Sequence, residues 1–314
     1  MSKIVTLTFN PCIDKSATVP ELIPEKKLSC SEPHFEPGGG GINVARVIKK
    51  LGGKATAIYP AGGYTGKFFN QLLAKENIPS IVIEVKNPLR ENVIVLEESS
   101  NNQLRFGFPG PKLMKHEWEE CLDSIAGITG AEFLVASGSL PGGAPDNIFA
   151  RLATISKKKN LKLVVDTSKA ALKQAANAGV YMLKPNLTEL SLVLGKKDLS
   201  FNEITAAGKE IISRKYCEVL IVSLGEKGAM LFTKDIKLKA SSPKVEKKST
   251  VGAGDSMVAG FVLSLSQGKT FEEALKYGVA CGTAATMNPG TELCNKKDAD
   301  TLFQKIIVEK INEG

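Results

Sequence analysis

The sequence predicts an α/β protein: a mostly parallel central sheet flanked by helices, with a small β-sheet lid inserted into it. Three observations carry this expectation. Short apolar, β-branched runs alternate with amphipathic helical stretches along most of the 314 residues. Those runs are apolar at nearly every position, as strands buried on both faces are. Two other stretches, 16–37 and 90–108, alternate apolar and polar residues, as strands with one wet face do.

Taken in chain order, strands are expected at 4–9, 55–60, 81–85, 133–136, 162–166, 181–184, 219–223 and 229–232. Helical periodicity falls at 42–51, 65–76, 115–125, 144–157, 169–176 and 202–214, and then at 254–266, 271–287 and 298–311. Neither alternating stretch is large enough to fold alone. Both are read as antiparallel strands of one lid, built from about 15–37 and 88–108 within a single domain spanning 1–314. An exposed two-sided sheet calls for a cover, so a homodimer through the lid is expected.

Composition narrows the chemistry. Hydrophobic residues are 43% and charged residues 24%, which fits a globular chain and excludes a disordered one. The longest strongly apolar run, 257–265, is far short of the ~20 residues that cross a bilayer. Residues 1–9 lack the pattern of a secretory signal, so a cytoplasmic protein without a membrane partner is expected. Net charge is +8, but only five of the 41 basic residues are Arg (46, 90, 105, 151 and 214) and the lysines are scattered. That argues against a nucleic-acid partner and leaves a mild field favouring phosphorylated small molecules. The six Cys form no C-x-x-C pair, and His34 and His116 are far apart. Zinc-ribbon, thioredoxin-type, His-metal and Ser-His-Asp chemistries are therefore poor fits. Carboxylate, lysine, backbone amide and hard-metal chemistry remain.

Two glycine motifs could carry such chemistry. In Glu36-Pro-Gly-Gly-Gly-Gly-Ile-Asn-Val-Ala-Arg46 four glycines run into a helix, whose first-turn N–H groups are unpaired, and Asn43 presents an amide there. In Ser249-Thr-Val-Gly-Ala-Gly-Asp-Ser256 glycines again lead into a helix, now with a carboxylate at its start. Such a set of amides can bind phosphoryl oxygens while Asp255 takes a proton from an attacking hydroxyl, the combination that phosphoryl transfer needs. Neither a Walker-type P-loop nor the protein-kinase signatures are present. Lys184-Pro-Asn-Leu-Thr-Glu189 follows a buried strand. Asn186 and Glu189, three apart, suit either a Mg²⁺ held largely through water or a plain capped helix.

With both glycine motifs in view, the chain resembles the PfkB-type sugar kinases of the ribokinase-like superfamily, most of all their 6-phosphofructokinase branch. The likeness runs from Val5-Thr-Leu-Thr-Phe-Asn-Pro to Gly290-Thr-Glu-Leu-Cys294. It implies a Rossmann-like ribokinase fold, ATP with Mg²⁺ as donor and a sugar phosphate as acceptor. Fructose 6-phosphate is the first choice, and the resemblance thereby implies a glycolytic kinase. Tagatose-6-phosphate kinase and 1-phosphofructokinase are the alternatives. Many of those relatives carry Lys where this chain has Gly40, which favours the first choice. A non-catalytic sugar-phosphate sensor would have no use for Asp255.

The resemblance also implies roles. Asp255 would be the base, and Gly252, Ala253 and Gly254 the anion hole. Asp14, Gly38, Gly39 and Asn43 would hold sugar hydroxyls. Arg90, Ser139 and Arg105 would hold the sugar phosphate, with Lys27 reaching in from a partner's lid. Lys184, Asn186, Ser223, Gly225, Gly228 and Thr250 match nucleotide-contacting positions, and Val279 and Thr283 adenine-side positions. Asn186 and Glu189 match the metal-associated motif. Ser249, Val251, Asn288 and Gly290 match the loop where some relatives bind a monovalent cation such as K⁺.

Overall fold

The computed structural model describes residues 3–311; Met1 and Ser2, the start of the segment read above as lacking a secretory signal, lie outside them. The first strand, β1 (Ile4–Leu7), leads into two strands of a separate sheet, β2 (Cys12–Val19) and β3 (His34–Gly38), and then into α1 (Gly40–Lys50). Next come β4 (Ala55–Ala61), α2 (Gly63–Lys75) and β5 (Ser80–Glu84), followed by the second excursion, β6 (Arg90–Glu97) and β7 (Asn102–Phe106). A regular alternation follows: α3 (Lys115–Ala126), β8 (Phe133–Ser137), α4 (Ile148–Lys159), β9 (Lys162–Asp166), α5 (Lys169–Ala178), β10 (Val180–Leu183), α6 (Leu187–Leu194), α7 (Ile204–Ser213) and β11 (Cys217–Ser223). The chain ends with β12 (Ala229–Phe232), β13 (Lys237–Ala240), α8 (Ala253–Ser266), α9 (Phe271–Thr286), α10 (Lys296–Lys305) and β14 (Val308–Lys310).

The large sheet runs β14-β13-β12-β11-β10-β9-β8-β1-β4-β5. From β5 to β11 every pairing is parallel, while β12, β13 and β14 are antiparallel. Alternate residues of one strand feed opposite cores. Val135 and Val164 pack with helices α1, α8 and α9, whereas Leu134 and Val165 pack with α3, α4 and α5. Both faces are therefore covered, which is why these strands read as unbroken apolar runs. Each fully buried aliphatic side chain contributes roughly 1.5–3 kcal/mol through burial.

Topology places the site. The chain builds outward from β1 to β4 and β5, then returns to its other side with β8. Strand order thus reverses at β1, and in open α/β sheets ligands bind at that reversal, outside the carboxyl ends of the strands. Helix α1 packs over β1, β4 and β8 and against α8, so its amino end opens at this crevice.

The small sheet runs β3-β2-β6-β7. Its central pair, β2 and β6, is parallel, unlike the all-antiparallel arrangement expected from the alternation; only the β2–β3 and β6–β7 pairs are antiparallel. The reason is connectivity: the two excursions leave the large sheet at separate points and run out from it in the same direction. A second correction concerns the last expected helix, 298–311. It ends at Lys305, and Val308–Lys310 pair with β13 instead. Ile306 adopts an extended conformation (φ −81°, ψ 131°) and is buried, so the chain turns there onto the sheet edge.

Candidate active site

Two helix mouths meet at the crevice. The residue before α1 is Gly39 with φ +111°, and the residue before α8 is Gly252 with φ +70°, both in the left-handed region that L side chains rarely adopt. Space also requires glycine: a Cβ on Gly40 would stand 2.2 Å from Ser137 Oγ, and one on Gly38 2.2 Å from Asp14 Oδ2. The tetraglycine run is thus the seam where α1 is pressed against β8 and the small sheet.

Asn43 Nδ2, in the first turn of α1, donates to Asp255 Oδ2 at 2.9 Å, in the first turn of α8. Ser137 Oγ, at the end of β8, donates to Oδ1 at 3.4 Å. Burial, and then the Asp166 carboxylate nearby, push the Asp255 carboxyl up to about 6, against the pull of Asn43, Lys184 and Ser137. It stays ionised at neutral pH while remaining basic enough to accept a proton. Lys184 Nζ, just beyond β10, pairs with Asp166 Oδ1 at 3.2 Å. Burial works against this ammonium, but Asp166 and Asp255 hold its pKa above the usual value. Nζ lies 3.4 Å from where a Cβ on Gly254 would stand, so that glycine leaves room for it at the mouth of α8.

A cavity of about 200 Å³ opens between this pair of helix mouths and the small sheet. Its lining includes Asp14, Gly39, Asn43, Arg90, Arg105, Gly252 and Asp255. The structure thus brings residues from both motifs and both excursions to one space. Asp14 Oδ1 accepts from Asn92 Nδ2 at 2.8 Å and from Cys12 Sγ at 3.4 Å. Burial raises its pKa, against those two donors and Arg90. Arg90 donates to Asn10 O at 3.1 Å and Phe108 O at 3.2 Å, and Ser139 Oγ accepts from Asn10 Nδ2 at 3.0 Å. Lys27 is exposed in the loop between β2 and β3 and does not line the cavity of its own chain.

The remaining residues gather at the carboxyl ends of β10 and β11. Asn186 bridges to Ser223, and Gly225 and Gly228 form the following turn. A Cβ on Gly228 would meet Ala240 O at 2.0 Å and Ser242 N at 2.8 Å, and Ser242 Oγ lies 2.7 Å from Thr283 Oγ1. Val279 is buried in the core one turn earlier, and Thr250 is exposed ahead of α8. Asn186 and Glu189 form a capping box on α6, each side chain accepting from the other's backbone N–H at 2.9 Å. The bland reading of that spacing is therefore real. It uses Glu189 Oε2 and leaves Oε1 for a water-mediated contact. Among the described residues no three His, Cys, Asp or Glu side chains converge as a metal site. A Mg²⁺ here would accordingly be held mainly by phosphates and water, with Asn186 and Glu189 nearby. Ser249 Oγ donates to Gly290 O at 2.8 Å, so the segment ahead of α8 and the one after α9 lie together, and Asn288 Nδ2 donates to Leu293 O at 2.6 Å within the second of them. They are tied to the tetraglycine run: Glu36 accepts from Thr291 Oγ1 and pairs with Arg46, which also donates to Pro37 O.

Sequence reasoning missed Ser137, Asp166 and Asn92. Each is a polar residue at or near a strand terminus or within the alternating stretch, the one signal that could have raised them. A larger open groove of about 1010 Å³ lies at the opposite ends of β10 and β11, roughly 20 Å from the site by strand length. It has none of the glycine mouths or converging carboxylates.

The pfkB family carbohydrate kinase profile matches residues 7–298, and the chain belongs to that family. It is 40% identical over 304 residues to the ATP-dependent 6-phosphofructokinase isozyme 2 of Escherichia coli, covering 96% of this chain and 98% of the relative. To the 1-phosphofructokinase of Borreliella burgdorferi it is 31% identical over 309 residues, covering 98% and 99%. The crystal structure of E. coli phosphofructokinase-2 in complex with potassium superposes with a TM-score of 0.94 at 40% identity, covering 97% of this chain and 99% of that one. The same E. coli protein is also described in a tetrameric inhibited form. The α/β frame and the separate small sheet are those of this kinase fold.

Proposed function

We propose that the protein is an ATP-dependent 6-phosphofructokinase, transferring a phosphoryl group to the C1 hydroxyl of fructose 6-phosphate. The observation that carries this reading is Asp255: a carboxylate at the mouth of α8, bonded to Asn43 at the mouth of α1, in one cavity with Asp14 and Arg90. The 40% relatives act on fructose 6-phosphate by name, whereas the 1-phosphofructokinase likeness is weaker.

In this reading Arg90, Arg105 and Ser139 grip the 6-phosphate, Arg being suited to a forked contact with phosphate oxygens. Asp14, Asn43 and the Gly38 and Gly39 backbone hold the sugar hydroxyls. Asp255 takes the proton of the C1 hydroxyl as that oxygen forms its bond to phosphorus and the bridging oxygen departs with ADP. The amides of Gly252, Ala253 and Gly254, with the Lys184 ammonium, stabilise the charge on the moving phosphoryl group. Lys184, Asn186, Ser223, Gly225, Gly228, Thr250 and Thr283 line the nucleotide's path, with Val279 buried one turn behind Thr283, whose Oγ1 donates to its carbonyl; Glu189 with Asn186 would steady a hydrated Mg²⁺, which would screen the phosphates. Carbonyl groups of Ser249, Val251, Asn288 and Gly290 would take K⁺, the ion named in the E. coli complex. The small sheet acts as the lid, and a dimer formed through it brings Lys27 to the neighbouring site. That dimer would be the building unit of any larger assembly, and the protein works in the cytoplasm.

The test is ADP release that depends on fructose 6-phosphate, with the product cleaved by aldolase. No fructose 6-phosphate-dependent ADP release would overturn the proposal. Fructose 6-phosphate-dependent ADP release without an aldolase-cleavable product would overturn transfer to the C1 hydroxyl.

A further inference from the structure

Asn92 belongs to none of the roles above, yet it touches both side chains that the proposed function gives to the sugar phosphate. Its place follows from register. Strands β2 and β6 are parallel, with Cys12 opposite Arg90 and Asp14 opposite Asn92. Residues two apart share a face, so these four side chains form a square facing the cavity, which all four line. Asn92 Nδ2 donates to Asp14 Oδ1 at 2.8 Å and to Cys12 Sγ at 3.1 Å, while its Oδ1 accepts from Arg90 at 3.4 Å. The carboxamide thus stands between an anion and a cation with each end matched. Rotating it by half a turn would set oxygen against carboxylate and NH₂ against guanidinium, so the charges on either side allow one orientation.

We propose that Asn92 is a positioning residue for the sugar phosphate: it holds Asp14 Oδ1, so that Oδ2 is the oxygen offered to a sugar hydroxyl, and it steadies Arg90 towards the phosphate. Asp14 Oδ2 is the oxygen nearest to where a Cβ on Gly38 would stand, on the α1 side of the square. Cys12 supports the same arrangement, since burial pushes its pKa far above the usual thiol value and it stays an S–H donor. The inference rests on the sugar-phosphate roles of Asp14 and Arg90.

Two variants test it. Asn92→Ala removes the short donor to a buried carboxylate. It should raise KM for fructose 6-phosphate about ten- to a hundredfold. KM for ATP, held by loops after β10 and β11, should stay within about twofold and kcat should change far less than the sugar KM. Asn92→Asp keeps the shape and sets a second carboxylate beside Asp14. The charged groups facing it are Asp14 on β2, Glu36 on β3, Arg90 on β6 and Arg105 on β7. Glu36, with Arg46 and Thr291, is held below the usual carboxylate range. Burial already raises the Asp14 carboxyl, and a second carboxylate beside it raises the pair further, so as pH falls the pair takes up one proton, which then bridges the two carboxyl groups. The ratio of the variant's sugar KM to the parent's should therefore narrow as pH is lowered. Titration of Asp255 and of the substrate phosphate is common to both proteins and cancels in the ratio. A sugar KM within twofold of the parent for both variants, or a rise shared equally by ATP and independent of pH, would overturn the inference while leaving the proposed function standing. A parent that does not turn over fructose 6-phosphate would overturn both.

Discussion

Replacing Asp255 with Asn should cut turnover by orders of magnitude and stabilise the fold. The side chain is the same size, and the new carboxamide can still accept from Asn43 through its oxygen and reach Ser137 through its NH₂. What it loses is basicity. A positioned general base is worth about 10²–10⁴ in rate, and kcat should fall by that much. The stability effect follows from linkage. Burial raises the Asp255 carboxyl from 3.8 to about 6, so the ionised form is disfavoured in the folded state. That penalty is absent below about pH 4, grows up to about pH 6 and is constant above. Two pKa steps correspond to roughly 3 kcal/mol, and the partial opening of Asp255 to the cleft reduces this to roughly 1–2 kcal/mol. For a chain of this length the melting temperature should rise by about 2–3 °C at pH 8, with the gain vanishing near pH 4. Scanning calorimetry at several pH values, beside steady-state kinetics, reads both effects. A variant that keeps turnover, or that is less stable than the parent at pH 8, would refute this account of the carboxylate.

Four further outcomes follow from the same geometry. The parent's kcat/KM should fall on the acid side with a midpoint near 6, because Asp255 of the free enzyme must be ionised to act; a kcat/KM flat down to pH 5 would contradict its assignment as base. Glu189→Gln keeps an acceptor for the capping box and should leave melting unchanged while raising the Mg²⁺ needed for half-maximal rate, whereas Asn186→Ala should cost about 1 kcal/mol in urea unfolding. Arg46→Met leaves the buried Glu36 carboxylate without its cation and should cost about 3–5 kcal/mol by the same measurement; a loss under about 1 kcal/mol would show that the network around the tetraglycine run bears little of the fold's stability.

Much of the frame was legible because burial on both faces leaves a plain trace. Val135 and Leu134 feed different cores, and a run with no polar position is what that demands. The trace fails where the sheet frays. Strand β13 alternates Lys237, Leu238, Lys239 and Ala240, and β14 is three residues with two of them exposed, so neither resembles the buried strands. The helical period through 298–311 continued past Lys305 because nothing in sequence marks where an edge strand captures the chain. At the site, glycines gave the helix mouths away, since four adjacent glycines have few other uses. The meeting of Asn43 and Asp255 across 212 residues was beyond any local pattern. So were the meetings of Asn92 with Asp14 on β2 and of Asp166 with Lys184 just beyond β10.

The central claim is that this site phosphorylates fructose 6-phosphate through Asp255. Steady-state kinetics on fructose 6-phosphate, tagatose 6-phosphate and fructose 1-phosphate, run side by side with ATP, test it most directly. The account predicts the highest kcat/KM for fructose 6-phosphate. A higher value for fructose 1-phosphate would contradict it.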